Sequence, residues 1–77
     1  MDNDPYINLA NAIVESAARD YREVIKALNR NPKNREAQNE RRRLEDFFRS
    51  SWFQMLTDVD GEYLMAEIRN RERTVVV

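Results

Sequence analysis

The chain has 77 residues, 42% apolar and 35% charged, with one glycine, two prolines, no cysteine, no histidine and a net charge of −1 from 13 basic and 14 acidic side chains. One domain of this length buries only about 60–65% of the surface it exposes when unfolded, so its core is small, and self-association or a partner would add stability. The composition argues against a disulfide scaffold, a disordered tail and a β-sandwich; with no apolar run near the roughly 20 residues of a membrane span and no basic-then-apolar leader, the expected location is the cytoplasm.

The first predicted element begins at Asp4-Pro5, an acidic N-cap followed by proline at the first helical position, where its missing N–H is not needed. From there Ile7, Ala10, Val14, Ala17, Tyr21, Val24 and Leu28 recur at alternating spacings of three and four, one seam of a helix about 35 Å long, widened by Ile13 and Ile25. Glu15/Arg19 and Arg19/Glu23 are opposite-charge pairs at i,i+4 on its wet side. "NRNPKN", from Asn29 to Asn34, is a turn: the residue before Pro32 is disfavoured in helix, and Pro32 or Asn34 can start the next one. A short link between two long helices predicts an antiparallel αα-hairpin over about 5–49, so the fold class expected is all-α.

On the second helix, Ala37, Leu44, Phe47, Phe48, Trp52 and Met55 fall in one arc of about 140° when residues are stepped at 100°, whereas Phe53 lands about 180° away. A continuous helix would therefore leave Phe53 in water and bury Trp52. Serine competes for backbone hydrogen bonds, so Ser50-Ser51 is the expected break, giving a short helix over about 51–56 and a last helix over about 61–72 with Leu64, Met65 and Ile68 inward and Tyr63 at the edge. Phe47, Phe48 and Trp52 are expected in the core; Phe53, beside Met55 or Val59, is the expected exposed aromatic of a protein interface. The β-prone ending Val75–Val77 has no visible strand partner and reads as frayed, as an edge strand or as an intermolecular contact.

Asp58, Asp60, Gly61 and Glu67 match positions 3, 5, 6 and 12 of a calcium-binding EF-hand loop, but Leu56 stands at position 1, which needs an oxygen donor. The better reading makes Asp60 the N-cap of the last helix with Glu62 in its first turn, or Thr57 the cap in a capping-box variant. No metal or other cofactor is expected. Without histidine or cysteine there is no imidazole or thiolate ligand and no Cys/His or Ser/His nucleophile, and neighbours such as Glu45-Asp46 diverge by about 100° on a helix; the chain reads as non-enzymatic.

Charge is unevenly placed: Lys26 to Arg43 holds seven basic and two acidic residues, whereas Asp58 to Glu67 holds four acidic and none basic. Arginine outnumbers lysine eleven to two, which suits bidentate contacts to carboxylate or phosphate. Arg41, Arg42 and Arg43 are spread over about 200° of helix, but Arg35, Arg42 and Arg49 are spaced by seven and stack along one outer face. That face is either a solvated surface laced with Arg42/Asp46 and Glu45/Arg49 pairs or a site for nucleic acid, for which a net charge of −1 supplies no overall attraction. The partner-binding candidates are accordingly Phe53, Trp52, Arg35, Arg42, Arg49 and Arg41.

Two resemblances bear on context. "ALNRNPKNREA" resembles a junction between tetratricopeptide repeats, with Ala27 and Pro32 suitably separated, but the first helix lacks the turn that repeat requires. From Tyr21 through "FFRSSWFQMLTDVDGEYL" the chain resembles small proteins encoded in prophages and integrative elements of Firmicutes, on Phe47, Phe48, Arg49, Ser50, Trp52, Phe53, Leu56, Thr57, Asp58, Asp60, Gly61, Glu62, Tyr63 and Leu64. That resemblance implies a binding role in a bacterial host, including inhibition of a defence system such as a CRISPR effector. The alternatives are a nucleic-acid-binding accessory protein using the face of Arg35, Arg42 and Arg49, and a structural homo-oligomer or a sponge for an anionic nucleotide.

Overall fold

The structure, a computed structural model, describes residues 5–73, with side chains from 8 to 72; the expected Asp4 cap, the Ile7 side chain and the Val75–Val77 tail lie outside them. Among the described residues there are four helices, α1 (Pro5–Arg30), α2 (Arg35–Phe48), α3 (Ser51–Leu56) and α4 (Gly61–Arg73), and no strand. The domain is all-α, as the helical spacing predicted.

The hairpin turn is held by amide side chains. Asn34 sits in extended backbone and caps α2, its Oδ1 accepting from Ala37 N–H at 3.0 Å, which decides between the two expected starting points in its favour. Asn31 Oδ1 accepts from Lys33 N–H at 3.1 Å, and Gln38 Nε2 donates to the Pro32 carbonyl at 2.7 Å, tying the turn to the first coils of α2. The chain thus reverses within four residues and lays α2 antiparallel on α1.

Ser50 breaks the second helix on both sides at once. Its Oγ donates to the Phe47 carbonyl at 2.7 Å and accepts from Phe53 N–H at 3.1 Å, so one hydroxyl ends α2 and caps α3. The new helix does not continue the old one's angular phase. Phe53 consequently turns inward and is 0% exposed, whereas Trp52 is 55% and Met55 83% exposed, the reverse of the arc's expectation for all three. Phe53 is a core residue.

Around it the rings of Phe47 and Phe48 stand at 5.6 and 5.4 Å in edge-to-face contact, and Phe48 meets Tyr21 of α1 at 5.6 Å. Ala17, Val24, Ile25, Ala37, Leu44 and Met65 complete the core, with Leu64 and Ile68 packed on it. The seam of α1 from Ala17 to Leu28 is therefore covered by the chain's own helices and is not free for a second copy. α4 returns beside α1 in the same direction, with Arg69 bonded to Tyr21 and Asn29 to the Glu72 carbonyl.

Candidate interaction surfaces

At mid-height the three long helices are joined by a polar network. Tyr21 Oη donates to Glu45 Oε2 at 2.7 Å and accepts from Arg69 Nη1 at 3.0 Å, while Arg41 Nε donates to the same Glu45 oxygen at 2.8 Å. Arg49 Nη1 approaches Glu45 Oε1 at 3.6 Å, and its Nε donates to Glu62 Oε2 at 2.5 Å, carrying the network to the start of α4. Burial pushes the Glu45 carboxyl upward, but the hydrogen bonds from Arg41 and Tyr21 and the charges of Arg41 and Arg49 outweigh it and hold the group below its ordinary value. Burial, followed by the bond to Glu45, raises the Tyr21 phenol.

This network divides the arginine candidates. Arg41 and Arg49 are half exposed but paired with carboxylates of the chain itself, whereas Arg35 and Arg42 are exposed and have no carboxylate within 4 Å among the described residues. The Glu45/Arg49 pair forms as expected; the Arg42/Asp46, Glu15/Arg19 and Arg19/Glu23 pairs do not, and Glu23 meets Lys26 at 3.7 Å instead. The expected stripe of three arginines is thus two free cations and one ion-paired group.

The Tyr21–Glu45–Arg69 level also splits the molecule electrically. Toward the hairpin turn, residues 22–44 and 70–72 hold nine Lys/Arg and four Asp/Glu; toward the other end, residues 8–20 and 46–68 hold two and seven. The two halves therefore carry +5 and −5, and the antiparallel hairpin with its parallel third helix is what sorts them. Every large apolar side chain left exposed among the described residues, Leu9, Trp52, Met55, Val59 and Tyr63, lies in the acidic half.

From that half Ala12, Ile13, Ala17, Phe47 and Trp52, joined at the boundary by Leu44, line a groove of about 520 Å³ between α1, α2 and α3, with Asp20 and, from the basic half, Arg43 at one end. Trp52 stands over it edge-to-face with Phe47 at 5.5 Å. The sequence arc missed this surface because it placed Trp52 inside; the signal that finds it is the serine cap, which resets the helical phase.

The acidic loop does the structural work expected of it. Asp60 Oδ1 accepts from Glu62 N–H at 2.9 Å and its carbonyl from Leu64 N–H at 3.0 Å, so Asp60 caps α4, while Thr57 Oγ1 accepts from Val59 N–H at 3.2 Å in the turn. Among the described residues no group of three or more Asp or Glu is placed to hold a metal ion, and no helix is long and apolar enough to cross a membrane. Compared with known protein families, curated proteins and solved structures, the chain matches none.

Proposed function

We propose that the chain is a non-enzymatic protein-binding module that receives an apolar, basic-flanked helix of a partner protein in the groove between α1, α2 and α3. The observation that supports it most is that, among the described residues, the large exposed apolar side chains are confined to the half that carries −5, with Trp52 over the groove as anchor. A groove lined by α1, α2 and α3 suits a further helix laid into it; its own charged lining is Asp20 and Arg43, and the carboxylates elsewhere in the acidic half favour Lys and Arg flanking that helix's apolar face. The resemblance to prophage-encoded proteins supports a partner in a bacterial host, and a defence nuclease, whose nucleic-acid channel is basic, has the chemistry an acidic apolar surface would meet.

The test compares the wild type with Trp52→Ala and with Asp20→Lys, the carboxylate at the groove's end, for capture of partners from a bacterial host, with molar mass measured on the purified chain. The wild type should hold a partner, Trp52→Ala should hold it at least tenfold less and Asp20→Lys should hold it more weakly, with unchanged thermal stability. Equal capture by Trp52→Ala, no capture at all, or a dimer that Trp52→Ala converts to monomer would each overturn it.

A further inference from the structure

The basic half is built differently from the acidic one. Arg30, Lys33 and Arg35 fall within six residues at the hairpin turn, and Arg42 lies two helical turns along α2 on the same face as Arg35, about 10.5 Å away along the axis. All four are exposed, and none has a carboxylate within 4 Å among the described residues. Their exposed neighbours include the amides Asn29, Asn31, Gln38 and Asn39, with Glu36 the one exposed carboxylate in the first turn of α2, and no large exposed apolar side chain stands among them.

From this arrangement we infer that the hairpin end binds the phosphate backbone of nucleic acid, at a site separate from the apolar groove and independent of what fills it. A protein interface needs an apolar, desolvated centre, which this surface lacks; phosphate and sugar contacts need cations and amide donors, which it has. Arginine forks suit phosphate oxygens, and 10.5 Å along α2 spans about three phosphates of one strand at roughly 3.4 Å of axial rise each.

The net charge of −1 does not forbid this, because charges are screened over about 8–10 Å at physiological salt while the long axis of the molecule is 43 Å. A phosphate at the hairpin end meets the +5 half and little of the −5 half. Arg49, placed on this face by its spacing, belongs to neither the site nor its charge, being paired with Glu62 and Glu45.

The measurement is fluorescence anisotropy of labelled 20-base-pair duplex DNA of two unrelated sequences, titrated with the full chain from 20 to 200 mM salt. Four phosphate contacts predict micromolar binding at low salt, indifferent to sequence, with a log–log salt slope of about −3 to −4. Arg35→Glu with Arg42→Glu should weaken binding at least thirtyfold and shallow the slope by about 2, Arg35→Gln with Arg42→Gln should do so more mildly, and Trp52→Ala should change neither. Absence of binding at 20 mM salt, a slope shallower than −1, or undiminished binding by the folded double variants would overturn the inference. Displacement of the DNA by poly-glutamate at equal charge concentration would overturn its assignment to phosphate.

Discussion

Phe53 and Trp52 are adjacent aromatics with opposite environments, and truncating each separates packing from surface. Removing the ring of a fully buried phenylalanine leaves a cavity and costs about 3–5 kcal/mol, comparable with the whole stability of so short a chain. Phe53→Ala should therefore be largely unfolded at 37 °C, whereas Trp52→Ala should keep its far-UV circular dichroism and lie within about 1 kcal/mol of wild type in urea. The converse ranking would mean that Phe53 is not in the core. Glu45 gives the second test at this scale. Its folded carboxyl is held below the ordinary value, so its contribution is present above about pH 4.3, the unfolded value, and is lost as pH falls through the lower folded one. Urea midpoints measured from pH 7 downward should drop over that window in the wild type and drop less in Glu45→Gln; parallel curves would show that the network adds no pH dependence. The expectation that Phe53 faces a partner failed because helical phase was carried through a serine that restarts it.

Among elements, the junction of α2, α3 and α4 is the most constrained. Gly61 opens α4 directly against the end of α2: a Cβ there would run into the Phe48 carbonyl oxygen and stand 3.4 Å from Phe53 Cε2. Its backbone φ is not positive, so glycine is required by the close approach and not by the turn conformation. Because the obstacle is backbone, Gly61→Ala must move α4 away from Phe48 and Phe53, at a cost of about 1–3 kcal/mol. For a chain of this size that corresponds to a fall in melting temperature of roughly 4–8 °C per kcal/mol, and an unchanged melting temperature would refute the packing described. The limits of these elements were legible locally, since Asn34, Ser50 and Asp60 act on backbone groups within a few residues. The need for glycine at 61 was not, because its neighbour is thirteen residues earlier in the chain.

Over its described residues the molecule is a charge-sorted rod, with halves of +5 and −5 along a 43 Å axis. Such a chain should be retained at pH 7 and low salt on both anion- and cation-exchange media, which an evenly charged protein of net −1 would not be. Passage through the cation exchanger would show that the basic end is not accessible. What the sequence determined alone was local: four helices, their breaks, the caps at Ser50 and Asp60, and blocks of like charge, since these depend on hydrogen bonds and periodicities spanning a few residues. Only the tertiary structure decided which aromatic faces inward, that Glu45 takes the Tyr21 hydroxyl of α1, and that charge blocks distant in sequence share one end. Those depend on how helices are rotated and directed against one another, which burial of the common core selects and no single segment contains.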